Sequence, residues 1–398
     1  MENIKNIVGK ICKKIYDKIN NVKFAEVSQM RKEDFSRQRK VGFGDTIVII
    51  LNKTGKGFNA AIRAFIEIFH DTVKEFYAEF DWKKYKGYRI LAVDGTKINL
   101  PYHAESKEEF EIQPGTGETI QALASCLYDT LNGIIVDACI EPVNSNEREL
   151  AEEHLKRLSE IKSDRELVTF DRGYPSAELL AFLENTPFKY LIRADQTFVR
   201  GIMKKVNSDD CIVCHTFVKS KISVRLRVLQ IHLKDSENND IIEILLTNIF
   251  EDDFTSEEFK ELYHLRWGIE TKYDDIKNKL EIESFSGTSP LAVRQNFFAT
   301  MFLNNLASMM IAENADEIDR LHNSGQNKYQ YKANINTVIS VLAEKVVQLF
   351  IVSNRERKKI LKFIYSEIQH SVVPIRPGRS NPRFRKHKSS HFSQNQKS

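Results

Sequence analysis

Apolar and polar positions separate a helical first part of the chain from a mixed part that starts at Tyr88. Residues 1 to about 82 have apolar side chains at helical spacing, interrupted at Gly55-Lys56-Gly57, and this spacing predicts helices. The run Tyr88–Val93 is short and apolar, as in a buried strand, and it ends at Asp94. We expect Gly95 to break the strand at that point.

The next elements have alternating strand and helix character. Runs 121–128 and 133–143 are strand-like, and the Asn132-Gly133 turn between them predicts a hairpin. A charged amphipathic helix is predicted over about 147–161, and a fourth strand over 167–170.

A second acid, Asp171, directly follows this fourth strand. Pro175 is expected in the first turn of the next helix, which runs to about Glu184, and a fifth strand is predicted over 188–192. The order of these elements predicts a mixed α/β sheet. Asp94 and Asp171 then lie at the ends of the first and fourth strands, where open sheets usually place their sites.

From about Ala194 to Asn248 the alternation predicts a β-rich insertion, with a turn at 236–240. Within it, Cys211-Ile-Val-Cys214-His215 matches a haem-attachment pattern and also half of a zinc site. Haem attachment belongs to exported proteins and no second pair of zinc ligands is found, so we favour a plain strand. The five cysteines are scattered and indicate reduced thiols.

A long helix is predicted from Thr255 to about Leu280, because Thr255 is a suitable N-cap and acids fill the first turn. One face of this helix is apolar at 3–4 spacing and must face a core. That face consists of Leu262, Leu265, Ile269, Tyr273, Ile276 and Leu280.

A polar stripe lies beside this apolar face. Tyr263, Glu270 and Lys277 project together, because seven helical positions return within about 20° of the start, and Arg266 lies only about 60° away. Glu270 could hold a divalent cation while the flanking cations grip phosphates. The alternative is an ordinary surface pair between Arg266 and Glu270.

Charge is concentrated at the end of the chain. Residues 351–398 contain twelve Lys and Arg against two acids, a net +10, whereas the whole 398-residue chain is only +4. A basic end on a mildly acidic body is typical of a phosphate-binding arm, and a solvated tail without a partner is the alternative. No apolar run is long enough for a membrane span and no secretory signal is evident, so we expect a cytoplasmic, nucleoid-associated protein without membrane contact.

The spacing Tyr263-x2-Arg266-x3-Glu270-x6-Lys277 resembles the Y-(2)-R-(3)-E-(6)-K signature of bacterial insertion-sequence transposases with a DDE triad. Asp94-Gly95-Thr96 is similar to the first-acid motif of that group, and Asp171-Arg172-Gly173-Tyr174 to its second. The segment Arg376-Pro-Gly-Arg379-Ser-x-Pro382-Arg383 also resembles C-terminal motifs of members. The resemblance extends from roughly Phe35 to the C-terminus.

This resemblance implies a ribonuclease H-like mixed sheet with the β-rich insertion before the last catalytic helix, and helical parts at both ends. It implies that Asp94, Asp171 and Glu270 are catalytic and hold Mg²⁺, for which Mn²⁺ may substitute, in a two-metal phosphoryl transfer. The expected activity is cleavage at the ends of an insertion sequence, followed by strand transfer into target DNA. The expected partners are terminal inverted repeats, target DNA and a second copy of the chain in a synaptic complex. The expected DNA contacts are Tyr263, Arg266, Lys277, Arg172, Arg376, Arg379 and Arg383.

The corresponding domain organisation has five parts. We expect a helical DNA-binding region, a catalytic core in two parts separated by the insertion, and a basic C-terminal region. These parts are residues 1–82, 83–194, 195–248, 249–350 and 351–398, the fourth of them including a helical extension of the core.

Three rival functions remain open at this point. One is a ribonuclease H-like nuclease that cuts without joining, and another is a catalytically silent DNA-binding descendant. A glycosidase with paired carboxylates is the third, although the flanking cations and the basic end favour a polyanionic substrate. The loop 114–119 lacks the lysine of a phosphate-binding loop, and protease and hydrolase motifs are missing.

Overall fold

The computed structural model describes residues 6–21, 23–24, 62–112, 119–159, 165–234, 239–251, 254–323, 325 and 327–376. The chain forms two compact units, each built from segments that are not contiguous in sequence. The first unit contains residues 1–81, 98–122 and 275–398, and the second contains residues 82–97 and 123–274. The predicted break at Gly55–Gly57 lies outside the described residues.

The described strands β1 to β8 form one mixed sheet in the order β3-β2-β1-β4-β5-β8-β7-β6. Their bounds are β1 Tyr88–Asn99, β2 Gln121–Asp129, β3 Ile134–Pro142, β4 Arg165–Phe170, β5 Lys189–Ala194, β6 Asp210–Thr216, β7 Ser223–Lys234 and β8 Asp240–Thr247. A two-stranded sheet pairs β9, Tyr331–Ala333, with β10, Val372–Pro374.

Helices alternate with these strands and also form the first unit. Their bounds are α1 Ile7–Ile19, α2 Ile62–Glu79, α3 Ala104–Phe110, α4 Glu147–Ser159, α5 Ala177–Glu184, α6 Gln196–Met203, α7 Ser256–Leu265, α8 Trp267–Asn278, α9 Pro290–Glu313, α10 Ala315–Ile318, α11 Ile335–Ile351 and α12 Asn354–His370. A π-helical turn, Asp319–Asn323, follows α10. None of the described helices is both long enough and apolar enough to span a membrane.

Parallel strands form the middle of the large sheet, where β4 pairs with β1 on one side and with β5 on the other. The first six residues of β1 and the last five of β4 are buried without alternation. Strands covered on both faces have this pattern, and it explains why Tyr88–Val93 is a continuous apolar run. The mixed α/β sheet predicted from the sequence is confirmed.

The sequence predicted that strand β1 ends at Gly95. This prediction is wrong, because the strand continues to Asn99. A glycine only weakens a strand, and here β1 keeps β2 as its neighbour in the sheet. The position also leaves little room for a side chain, because a Cβ on Gly95 would lie 2.9 Å from Glu147 Oε1. Gly95 therefore allows close approach of another element instead of ending the strand.

The hairpin of β2 and β3 is confirmed, and Gly133 has φ 73°, which its missing side chain permits. Pro175 was predicted in the first turn of the following helix, but α5 begins only at Ala177. Ser176 caps this helix by accepting a hydrogen bond from the Leu179 N–H at 3.0 Å. A hydroxyl that satisfies a free N–H defines the helix start better than the fixed φ of proline does.

In the segment predicted to be β-rich, β6, β7 and β8 extend the large sheet, because β8 pairs antiparallel with β5. Cys211 and Cys214 lie in β6, which agrees with the strand that the sequence analysis favoured for this segment. The sequence interpretation missed α6, which Asp195 caps at its start. An eight-residue helix between strands has too few turns for helical periodicity to stand out.

The first unit packs around α9, whose residues from Pro290 to Met310 are almost all buried. A helix buried on all sides lies in the middle of its surroundings, and α1, α2 and α11 pack against it. Part of the basic segment 351–398 also belongs to this unit. It forms α12, and the buried Arg357 donates to the carbonyl oxygens of Leu349 and Phe350 at the end of α11. The charge of Arg357 is therefore unavailable to a phosphate.

Candidate active site

Asp94 and Asp171 emerge at the same end of the central parallel strands. The β1–β4 register ends with Ala92 opposite Thr169, so Asp94 lies just beyond the paired stretch. β4 ends at Phe170, and Asp171 follows it. The sheet therefore brings together two acids that are far apart in the sequence.

The Asp94 carboxyl is buried and close to other negative charge. Burial, and after it the charge of Asp171, raises the pKa of Asp94 to about 7. The Gly95 N–H donates to Asp94 Oδ1 at 2.9 Å, and this bond and the Arg266 charge act in the opposite direction. Burial and nearby negative charge both disfavour the ionised form of a carboxyl, so a cation beside Asp94 would stabilise that form.

Asp171 is half-buried and is positioned by its own turn. The Gly173 N–H donates to Asp171 Oδ1 at 2.7 Å, a bond that aspartate commonly makes two residues along a turn. Arg148, at the start of α4, donates to the Gly173 carbonyl oxygen at 2.8 Å and ties this turn to the helix.

The predicted helix from Thr255 to about Leu280 is two helices, α7 and α8, separated at Arg266. The predicted N-cap is confirmed, because Thr255 and Glu258 form a reciprocal capping box. At the junction the Arg266 N–H bonds to the Tyr263 carbonyl oxygen and the Ile269 N–H to that of Arg266. These bonds span three residues instead of four, so the turn tightens locally, which side-chain periodicity alone does not reveal.

Arg266 links the first acid to Glu270. Its side chain is 5% exposed, and its Nη1 lies 3.8 Å from Asp94 Oδ2. Its Nη2 donates to Glu270 Oε1 at 2.7 Å. Glu270 has a side-chain exposure of 30%. One guanidinium, that of Arg266, therefore contacts both Asp94 and Glu270, although these two acids are far apart in the sequence.

Tyr263 and Lys277 have different surroundings on this helix pair. Tyr263 is buried, burial raises its pKa to about 12, and among the described residues its hydroxyl has no hydrogen-bond partner. Lys277 is half-buried on α8 and belongs to the first unit, which resumes at Asp275.

The remaining arginines expected to contact DNA are spread more widely. Arg172 is exposed beside Asp171. Arg376 is exposed at the end of the described residues, with its guanidinium 5.8 Å from the centre of the Tyr329 ring. Arg379 and Arg383 lie outside the described residues.

Three residues near the acids received no role from the sequence. The Tyr273 hydroxyl donates to the Asp94 carbonyl oxygen at 2.7 Å, although Tyr273 was interpreted only as part of an apolar face. Tyr174 is buried, and the charges of Asp94, Glu147 and Asp171 act on its hydroxyl. Glu147 had been interpreted only as the first residue of a charged helix. Tyr174 could have been suspected, since it belongs to the second-acid motif, whereas no local signal distinguishes Glu147 from other helix-start acids.

A line of three hydrogen-bonded residues, Ser125, His154 and Asp137, is entirely buried. His154 Nδ1 is 2.7 Å from Asp137 Oδ2, and its Nε2 is 3.0 Å from Ser125 Oγ. The Arg157 Nε also donates to Asp137 Oδ2, at 2.6 Å. No substrate reaches Ser125, because all three members of the line are buried. We therefore interpret the line as internal support for β2, β3 and α4.

The side chains present suit a hard divalent cation. Carboxylate oxygens are the donors that Mg²⁺ prefers, and a cation beside Asp94 would offset the burial and the negative charge that raise its pKa. Within the described residues, no three His, Cys, Asp or Glu side chains converge closely enough to hold an ion as they stand. The Arg266 guanidinium lies between Asp94 and Glu270 and approaches both carboxylates.

Fold and site together define an α/β protein with acids at the ends of its central parallel strands and an arginine between them. A family model described as the transposase DDE domain matches residues 85–306, which is more than half of the chain and includes Asp94, Asp171 and Glu270. The chain belongs to this family of DDE transposases, a class of enzymes that act on DNA.

A comparison with curated proteins found no match. Among solved structures, the chain is similar to the piggyBac transposase in a cryo-EM structure of its synaptic complex with hairpin DNA. The identity is 12%, the match covers 94% of this chain and 86% of that chain, and the TM-score is 0.44. A likeness at this level carries no argument about this chain.

Proposed function

We propose that this transposase cleaves DNA at the ends of a bacterial insertion sequence and joins those ends to target DNA, using divalent cations held by Asp94, Asp171 and Glu270. The observation that supports this most directly is the link from Asp94 through Arg266 to Glu270, in a site where Asp171 also acts on the Asp94 carboxyl. The three acids come from β1, the end of β4 and α8.

A ribonuclease H-like core is part of this proposal. The order β3-β2-β1-β4-β5, with β1, β4 and β5 parallel, supports it, and so do the helices α4 and α5 on either side of β4 in the sequence. The spacing of Tyr263, Arg266, Glu270 and Lys277 supports membership of the group with the Y-(2)-R-(3)-E-(6)-K signature.

In this mechanism the protein binds and positions the reacting groups. The acids supply hard oxygen ligands, and bound Mg²⁺ would supply Lewis acidity at both the attacking and the leaving oxygen. Arg266 pairs with Glu270, approaches Asp94, and has one guanidinium nitrogen, Nε, without a partner among the described residues. A guanidinium suits a phosphate, because it presents several N–H groups in a fixed plane.

Tyr263, Lys277 and the exposed Arg172 are the further DNA contacts that we propose. Arg376, Arg379 and Arg383 would contact DNA further along the element end. A second copy of the chain would pair the two ends in the synaptic complex, because both ends must be joined to one target.

The test uses the full chain with two DNA substrates, one carrying intact element ends and one carrying precut ends. We expect Asp94→Asn, Asp171→Asn and Glu270→Gln each to lose cleavage and joining by more than about 100-fold, since losing an outer partner of a metal ligand already costs about 10–100-fold. Asp274→Asn is the matched control, because Asp274 is exposed on the same helix as Glu270.

The two substrates separate the proposed activity from its nearest rival. Precut ends need no cleavage, so joint products from them report strand transfer alone. Cleavage of intact ends without joint products from precut ends would identify a nuclease. A triad variant with wild-type activity would remove that acid from the site.

A further inference from the structure

We propose that Glu147 is a fourth carboxylate of this site and helps to hold the divalent cation, with the Tyr174 hydroxyl bonding to an oxygen in the shell of that cation. This inference rests on the proposed function, because it extends the ligand set of Asp94, Asp171 and Glu270. It assigns a role to two side chains that lie outside the DDE triad.

The first observation is the position of the Glu147 carboxylate. Glu147 is the first residue of α4, and a Cβ built on Gly95 would lie 2.9 Å from its Oε1 and 3.2 Å from its carboxyl carbon. The carboxylate therefore lies against the backbone immediately after Asp94. Among the described residues, no hydrogen bond or ion pair engages its oxygens.

The second observation is mutual repulsion. Burial raises the pKa of Glu147, and Asp171 raises it further, whereas Lys97 and Arg148 act in the opposite direction. Glu147 in turn contributes to the raised pKa of Asp94. These mutual effects place the negative charges of Glu147, Asp94 and Asp171 near one another.

The third observation is independent of the acids. Tyr174 is fully buried, yet its hydroxyl has no hydrogen-bond partner among the described residues. The charges that act on this hydroxyl are those of Asp94, Glu147, Asp171 and Arg266. A buried hydroxyl is normally bonded, so an unpaired one directed at a group of acids indicates a ligand that belongs among them.

An ordinary role at the helix start does not account for Glu147. Acids in the first turn of a helix are stabilised by its dipole while remaining in solvent. Glu149 is such an acid, because it is exposed and accepts a hydrogen bond from Asn146 Nδ2 at 3.0 Å. Glu147, on the same turn, is instead half-buried and directed at Gly95.

The test measures Mn²⁺ binding to the full chain by electron paramagnetic resonance, without DNA. We expect Glu147→Gln to weaken Mn²⁺ affinity about 10-fold or more, and Tyr174→Phe to weaken it by a smaller factor. Glu149→Gln is the matched control and should bind as the wild type does. Gly95→Ala should reproduce the loss seen in Glu147→Gln, because the added methyl displaces the Glu147 carboxylate without changing any charge.

Asp94→Asn distinguishes failure of this inference from failure of the proposed function. If Asp94→Asn loses Mn²⁺ affinity while Glu147→Gln and Gly95→Ala bind as the wild type does, the fourth ligand is overturned and the triad remains. If the wild type binds no Mn²⁺, or if Asp94→Asn binds it normally, the proposed metal site fails, and the fourth ligand with it. Circular dichroism of each variant shows that a loss of binding does not reflect unfolding.

Discussion

Arg266 makes the pair with Glu270 that its spacing suggests, but the surroundings make it different from an ordinary surface pair. Its side chain is 5% exposed and its Nη1 approaches Asp94 as well. A guanidinium between two acids does in part what a metal cation would do, because its positive charge lowers their repulsion. We infer that Arg266 helps the site to fold with its acids close together.

The first prediction concerns this compensation. Replacing Arg266 with Gln removes the positive charge between Asp94 and Glu270, so we expect a lower thermal unfolding temperature in the absence of divalent cations. Mg²⁺ should raise that temperature more in the variant than in the wild type, because a ligand that binds only the folded state stabilises it. Lys260→Gln on the exposed side of α7 is the control, and equal Mg²⁺ effects in all three proteins would contradict the prediction.

A second residue pair tests the interior of the sheet. Arg89 and Glu166 lie opposite each other on β1 and β4, are buried, and share two hydrogen bonds. Arg89→Leu removes the guanidinium that pairs with the buried Glu166 carboxylate, so we expect a loss of about 3–5 kcal/mol in the free energy of unfolding. Urea denaturation measures this loss, and adding Glu166→Leu should recover much of it. If the double variant is as unstable as Arg89→Leu, the buried negative charge of Glu166 is not the cause of the lost stability.

At the scale of elements, the start of α7 positions Arg266 and, through the following helix, Glu270. Thr255 Oγ1 accepts a hydrogen bond from the Glu258 N–H, while the Glu258 carboxylate accepts one from the Thr255 N–H at 2.8 Å. These bonds satisfy free backbone groups at the helix start, and they fix where the helix begins relative to β8.

The third prediction is the energy of this cap. Thr255→Ala removes the hydroxyl, and we expect the free energy of unfolding to fall by about 1 kcal/mol. Thr255→Ser keeps the hydroxyl and should retain most of the stability. Chemical denaturation of the three proteins measures the difference, and an alanine variant as stable as the serine variant would show that the cap contributes nothing.

Helix α9 is the element on which the first unit depends, because it is buried on every side. For the fourth prediction, Leu306→Ala creates a cavity next to side chains that cannot fully close it, and we expect a loss of about 2–5 kcal/mol in the free energy of unfolding. Ile351→Ala, at an exposed apolar side chain on α11, is the control and should change stability little. Calorimetry or urea denaturation measures the stability of both variants. Equal losses in Leu306→Ala and Ile351→Ala would contradict the buried position of Leu306.

At the scale of the whole molecule, the basic charge of residues 351–398 is divided between two settings. Residues 354–370 form α12, which is part of the first unit and in which Arg357 is buried. Residues 377–398, which lie outside the described part, contain six Lys and Arg and no acid. We therefore expect phosphate binding by this region to come mainly from the last 22 residues.

The fifth prediction follows from this division. Truncation after Arg376 should reduce the slope of log affinity against log salt for DNA binding by up to about 5, because each phosphate contact contributes about 0.9. Removing only residues 389–398 takes away one lysine and should change the slope by less than about 1. Filter binding over a salt series measures both, and an unchanged slope in the longer truncation would mean that these charges do not contact DNA.

Local signals determined the elements of this protein. The run before Asp94, the Asn132-Gly133 turn and the Thr255 cap each depend on residues a few positions apart, so the corresponding strand, hairpin and helix start could be predicted. The break at Arg266 and the continuation of β1 through Gly95 could not, because both depend on packing against other elements.

The sequence by itself determined which acids follow the central strands, which helix presents Glu270, and that basic charge gathers at the end of the chain. Only the tertiary structure decided that Arg266 lies between Asp94 and Glu270, and that Glu147 and Tyr174 face the same acids. The physical reason is that periodicity records the direction of a side chain on its own element. Proximity between distant residues is set by strand order, by register and by how each helix packs on the sheet.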